Sequence, residues 1–354
     1  MSIGHIAIGL PEVIAGIMAL ALNAYVLMGG ADFGGGVWDL VARGPRRDEQ
    51  RKLISASLAP IWEANHVWLI VVVVVLFTGF PAAFHDLAIV LHIPLSLMLV
   101  GIVLRGSAFV FRSYGSRNER HARTWGLVFA IASTITPVLL GMMVGAMASG
   151  AVGSAARRIL QAPFAEVFLT PWLGLFPLVT GLFTLALLAF LAATYLAYAA
   201  RTPELQDDFR RNALGAAAVV FVAATISLLV SFKEAPRLAS TLMTSGVSFP
   251  LQVLTGVCAV VAIGSLWRRN FRVARIAAGA QVSCILWGWV WSHYPYIIPD
   301  TLTIRDAAAP RITLQLLLIG LTAGVSVLVP ALWYLLRVFD AAGPEVATAR
   351  DGDS

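Results

Sequence analysis

The feature that most restricts this chain is the recurrence of apolar runs close to twenty residues long. They lie at about 10–30, 58–80, 86–111, 124–148, 174–198, 212–232, 250–267, 272–291 and 313–337. At about 1.5 Å of rise per residue, each run can cross about 30 Å of hydrocarbon as a helix. A membrane barrel would show alternating segments of about ten residues instead of continuous runs. The expected fold is therefore an all-α polytopic membrane protein with about nine transmembrane helices. Composition agrees: 12% of the residues are charged and 59% hydrophobic, whereas an ordinary soluble domain is about a quarter charged. A water-soluble globule of 354 residues could not cover itself with so few charges. The first run follows "MSIGHIAIGLPEVIAG", which has no basic n-region and no clear cleavage site, so it reads as a retained helix.

The net charge of +6 does not point to nucleic acid, because the basic residues form no dense block with interleaved aromatics. They sit between the apolar runs. Eighteen fall in the segments after the odd-numbered spans and six in those after the even-numbered ones, with Arg105 alone inside a span. The positive-inside rule then places the N-terminus outside and the C-terminus in the cytoplasm. "WGWVWSHYPY" at the end of the eighth run suits an aromatic belt at the outer interface, and equally suits bundle packing. Residues 341–354 read as a disordered tail.

The second run carries the chemistry. From Val67 to Phe77 it has eleven apolar residues, which cover only about 16 Å, so the helix must begin earlier, near Ser57, with Pro60 in its first turn. Trp62, Glu63, Asn65 and His66 of "APIWEANHVWL" then lie in the cytoplasmic third of the membrane. Glu63 and His66, three apart, share a face and can exchange a proton. Ionisable groups at this depth are functional candidates, although a Glu that snorkels to the headgroups is the plainer alternative. Arg105 in "MLVGIVLRGSAF" returns to the same depth and is a plausible partner for Glu63. Asp32 in "GGADFGGG" joins them, in a glycine-rich stretch suited to close backbone approach or to a helix break. An ion pair that only fixes helix register is the competing reading.

Other signals are weaker. Cys258 and Cys284 have no CxxC spacing, so no disulfide framework, zinc site or covalent haem attachment is expected. His66 and His92 differ in depth and form no bis-histidine haem pair, and Met142 and Met143 read as packing. Gln281 and Asn23 read as interhelical hydrogen bonds. No nucleotide, hydrolase or zinc-protease motif occurs in usable context.

Taken in order, "GGADFGGGVWDL", "RRDEQRKLISASLAPIWEANHVWLIV", "LFTGFPAAF", "LRGSAFVFR" and "RTWGLVFAIASTITP" resemble subunit II of the cytochrome bd-type quinol oxidases. The motif likeness covers roughly the first 140 residues, and beyond them only span number and length agree. The resemblance implies two four-helix bundles plus a peripheral helix, with an N-terminal bundle over about 10–148 and a C-terminal one over about 174–337. It implies a heterodimer in the bacterial cytoplasmic membrane with a subunit I that carries haem b and haem d. The complex takes quinol and dioxygen as substrates, and the family picture leaves room for a small accessory subunit and a structural quinone. This chain would bind no haem itself. Glu63 matches the family's acid on a proton path from the cytoplasm, Asp32 and Arg105 match charged positions, and Trp62 and Asn65 match motif residues around the acid. Departures are Glu for Asp at 63, Ala64 for Gly, and Gly29 and Thr124 where many members carry acids. The expected roles are proton delivery and support of the haem-bearing partner, against a purely structural scaffold or a stand-alone transporter.

Overall fold

The computed structural model describes residues 9–58, 62–114 and 119–342, and gives the backbone alone at 62, 63, 112–114, 119–123, 335, 336 and 338–342. The tail beyond 342 and Pro60 lie outside the described residues. Helices α1 (Leu10–Val41), α2 (Arg47–Leu58), α3 (Trp62–Gly79), α4 (Pro81–Val90), α5 (His92–Tyr114) and α6 (Glu119–Ala148) come first. Three short helices follow: α7 (Ala151–Arg157), α8 (Phe164–Phe168) and α9 (Thr170–Leu173). Then come α10 (Leu175–Ala199), α11 (Pro203–Glu234), α12 (Pro236–Thr244), α13 (Ser248–Trp267), α14 (Phe271–His293) and α15 (Arg311–Ala342). A two-stranded antiparallel hairpin, β1 (Tyr296–Ile298) with β2 (Leu302–Thr303), interrupts the otherwise helical order before α15. Among the described residues eight helices are long and apolar enough to cross a membrane, and α3 with α4 makes a ninth if that bent pair is one span. The chain is a multi-pass membrane protein.

The element boundaries follow local chemistry. α1 starts where Glu12 Oε2 accepts the Gly9 N–H at 2.8 Å, with Pro11 in the first turn, and it ends before Gly44, which has φ +84°. It runs through the glycine stretch without a break, so of the two expectations for "GGADFGGG" close approach is the one realised. α2 is a helix where a loop was expected: Gln50, Ile54 and Leu58, four apart, bury one face against the bundle. The helix start expected near Ser57 is thus the last turn of α2, and α3 is described from Trp62. The third run, read as one span from 86, is divided. Phe80 leaves helical geometry ahead of Pro81, α4 turns by 117° from α3, and the long helix begins only at His92.

Helices α1, α3, α5 and α6 pack on one another, as do α10, α11, α13 and α14, while α15 rests lightly on α3 and α1. α10 belongs to both groups, because it packs against α1 and α6 as well as α11 and α14. Its alanines 186, 189, 192, 193 and 197 are buried and let neighbouring backbones come close. A Cβ on Gly30 would stand 2.6 Å from Leu191 Cβ, and one on Gly34 would strike the Leu188 carbonyl, so α1 seats the Leu191 side chain at the first position and meets the α10 backbone at the second. One apolar core reaches from Ile54 and Phe129 through Phe190 and Leu191 to Phe209, Leu266 and Phe271. A second gathers Ile14, Val75, Phe80, Met142, Met143, Trp172 and Leu314 near the α3–α4 bend.

Candidate functional site

The site is a buried polar stripe along α1. Tyr25, Asp32 and Asp39 are spaced by seven, so they share a face, and each is at most 1% exposed. Each step of seven covers roughly 10 Å of rise, so the stripe passes from the helix end near α2 deep into the bundle. The sequence reading picked out only Asp32 of the three, although the heptad spacing of the two aspartates was available to find the rest.

Asp32 is the carboxylate that Arg105 meets. Arg105 Nη1 donates to Asp32 Oδ2 at 2.9 Å, Nη2 donates to Asp32 Oδ1 and, at 3.2 Å, to the Asp32 carbonyl, and Nε donates to Ser133 Oγ at 3.0 Å. The guanidinium also lies 4.8 Å from the Phe33 ring centre and 5.4 Å from that of Phe129. With Arg105 2% exposed and Asp32 0%, this is a forked, two-point ion pair out of contact with lipid and water. Removing either partner would strand the other's polar atoms in a medium of low polarity. Ser133 stands one turn before Pro137, which cannot donate to the Ser133 carbonyl, and a Cβ on Gly36 would collide with the Ser133 side chain, so α1 and α6 come close there.

Asn65 extends the pair to α3: its Nδ2 donates to Asp32 Oδ2 at 3.1 Å and lies 3.7 Å from where a Gly29 Cβ would stand. The polar residues from Trp62 to His66 are therefore part of helix α3, and Asn65, 0% exposed, faces inward. His66, the next residue, turns away. It lines a groove of about 440 Å³ between α3 and α5 with Ile102, Val103, Gly106, Ser107 and Phe111. Trp62 and Glu63 occupy the first turn of α3, and their side chains lie outside the description. The structure thus brings together Asp32, Arg105 and Asn65, and sends His66 to a different face.

Three buried polar atoms beside this cluster find no hydrogen-bond partner among the described residues: the Tyr25 hydroxyl, Asn65 Oδ1 and the Trp68 indole nitrogen. Tyr25 and Trp68 pack in one cluster with Phe33 and Leu188. At the other end of the stripe, Arg51 Nη2 donates to the Asp39 carbonyl at 3.1 Å, and its Nε lies 3.5 Å from Asp39 Oδ1. Next to it Asp208 accepts from Arg46 at 2.7 and 2.8 Å and from Gln50 at 2.9 Å, joining the α1–α2 turn to α11. That hydrogen bond lifts Arg46 above the usual arginine range, so it stays charged at every accessible pH. Among the described residues no three His, Cys, Asp or Glu side chains converge where a metal ion could sit.

Comparison with known proteins adds independent support. The family model described as "Cytochrome bd terminal oxidase subunit II" matches residues 10–339. The chain is 25% identical over 325 residues to a "Putative cytochrome bd menaquinol oxidase subunit II" of Bacillus subtilis, covering 89% of this chain and 91% of that one. It is 26% identical over 184 residues to "Cytochrome bd-I ubiquinol oxidase subunit 2" of Escherichia coli, which is 51% of this chain and 46% of that one. In fold it is similar to a chain of the bd oxidase from Geobacillus thermodenitrificans, with a TM-score of 0.77 at 22% identity over 93% of this chain and 98% of that chain. The chain belongs to the cytochrome bd terminal oxidase subunit II family.

Proposed function

We propose that this chain is the haem-free subunit of a quinol:dioxygen oxidoreductase. In this reading it holds a haem-bearing subunit I in place and feeds protons to it from the arginine-rich, cytoplasmic side. The observation that carries the proposal is the buried stripe Asp39, Asp32 and Tyr25, flanked by Asn65 and the Glu63 turn. The Tyr25 hydroxyl and Asn65 Oδ1, which find no hydrogen-bond partner among the described residues, need water or a proton-carrying neighbour, since lipid supplies neither.

The labour divides by chemistry. Asp32, clamped at two points by Arg105, organises the entrance of the proton path. Glu63 stands in the first turn of α3, two residues before the Asn65 that touches Asp32, and it takes the carrier's role. A carrier must lose and regain its proton near working pH, which suits an acid outside the clamp. His66, on its own face, hands protons toward the α3–α5 groove. The partner's haems supply the oxygen chemistry, and this chain supplies protons and position.

Glu63→Gln preserves shape and removes the proton. In the assembled, haem-replete complex, oxygen consumption with quinol should fall at least tenfold while the haem spectrum and subunit ratio stay normal. An undiminished rate would remove Glu63 from the path.

A second reading has a specific observation behind it: every polar atom of Asp32 is engaged, and Arg105 donates four hydrogen bonds. If the cluster serves only as scaffold, Glu63→Gln will lower complex yield or haem content, and whatever assembles will turn over normally.

A further inference from the structure

On the opposite flank of the bundle, away from the polar stripe, a groove of about 680 Å³ opens between α11 and α13. Its α11 side is formed by Arg210, Leu214, Ala217, Ala218 and Phe221, and Ile263 and Trp267 face them from α13. The α11 positions follow the i, i+4, i+7, i+8, i+11 pattern of a single stripe, so the groove runs along the helix axis. Eleven residues of helix rise about 16 Å, half the hydrocarbon thickness, which makes the groove one leaflet deep. Phe221 is 74% exposed and Trp267 71%. On helices that cross a membrane, such side chains face lipid.

The two ends of the groove differ in chemistry. Past Leu214 it is apolar, and at the Arg210 end it is cationic. Asp207 is shared there by two guanidiniums, accepting from Arg210 Nε at 3.0 Å and from Arg269 Nη2 at 2.8 Å, so one residue from α11 and one from the α13–α14 turn are drawn together over the mouth. Arg211, Arg268 and Arg272 are exposed within a turn of them. The adjacent carboxylate, Asp208, is engaged on the other side by Arg46 and Gln50. The mouth therefore carries five arginines against the single carboxylate of Asp207. Trp267 stands where an indole ring favours the headgroup level.

We propose that this groove is a binding site for an anionic glycerophospholipid. One acyl chain lies along the Leu214 to Phe221 stripe, the phosphate meets Arg210 and Arg269, and Trp267 covers the ester region. A one-leaflet groove with an arginine mouth matches a phospholipid at both ends. A quinone would leave the arginines unmatched, and free phosphate would leave the apolar walls bare. Bound there, the lipid fills the gap between two helices that touch each other little and bridges α11 to α13.

The experiment uses the chain purified with the subunits that accompany it, reconstituted with phosphatidylglycerol or phosphatidylcholine carrying the same photoactivatable group on one acyl chain. Crosslinked peptides are then mapped. The expected result is labelling of 214–221 and 263–267 by phosphatidylglycerol that exceeds the phosphatidylcholine signal by about fivefold for each arginine engaged. Arg210→Gln with Arg269→Gln should reduce it to the phosphatidylcholine level. Ala218→Phe, which obstructs the groove and leaves the arginines intact, should abolish it without changing complex yield. Equal labelling by the two lipids in the unaltered chain would overturn the proposal. So would persistence of the excess in Ala218→Phe, which would reduce the effect to general attraction of anionic lipid by a basic surface. Loss of the signal on adding inorganic phosphate or a quinone would assign the site to those ligands instead.

Discussion

At the scale of single residues, Arg105 controls the interior of the N-terminal helices. Its Asp32 partner, Ser133 and two aromatic faces leave it no route to solvent. Arg105→Met should cost about 3–5 kcal/mol, because Asp32 is left charged and buried. Arg105→Met with Asp32→Leu should recover most of that loss, since an apolar pair of similar volume needs no compensation. Thermal unfolding of the purified complex in detergent measures both, and a double variant no more stable than the single one would refute the ion-pair account. The sequence reading expected Arg105, Asp32 and Glu63 at similar depth, from helix rise and span direction, and the structure brings Arg105 and Asp32 together. The sequence did not show which acid meets the arginine. That choice depends on helix rotation, and only the packed neighbours Gly29, Gly36 and Phe33 fix it. Asp39 and its Arg51 partner went unnoticed because both lie where a loop was expected, outside the slab being searched.

At the scale of elements, the α1 glycines decide how near its neighbours come. Gly34 meets the Leu188 backbone carbonyl, which cannot move aside as a flexible side chain would. Gly34→Ala should therefore push α1 from α10 and destabilise by about 1–3 kcal/mol. Gly16→Ala on the same helix, where a Cβ would meet nothing within 4 Å, should be neutral or slightly stabilising. Comparing the two melting temperatures separates close packing from helix propensity, and equal effects would show that propensity alone is at work. The existence of the long helices was readable from apolar run length. The end of the second span at 80 was readable too, but the separate short helix α4, turned by 117° from α3, was not, because hydropathy does not register a change of direction. The amphipathic α2 was hidden for the converse reason: its three buried residues are outnumbered by charged ones.

At the scale of the whole molecule, the eight long apolar helices among the described residues become nine crossings if the α3–α4 pair is one span, and an odd number would put the two chain ends on opposite sides of the membrane. The positive-inside rule would assign the side with eighteen arginines and lysines, and the C-terminus with it, to the cytoplasm. A fluorescent protein fused after residue 342 should fold and fluoresce, whereas alkaline phosphatase at the same place should be inactive. Active phosphatase would reverse the orientation, and with it the side from which protons enter. The two four-helix groups expected from the family likeness were legible only as span number. That they share a continuous apolar core across α10 is a property of packing, which span counting does not reach.

The seating of α1 against α10 also bears on how the subunit can work. A carrier that alternates its access swings one half past the other, and it needs a seam along which they slide. Here the would-be seam is occupied by a helix common to both halves, and the backbone of Leu188 is lodged in the notch left by Gly34. Sliding would mean lifting that carbonyl out of its notch and opening a void in a close-packed interior. The two helix groups are thus held in one arrangement, and the close seating of α1 on α10 makes the subunit a strut and not a hinge.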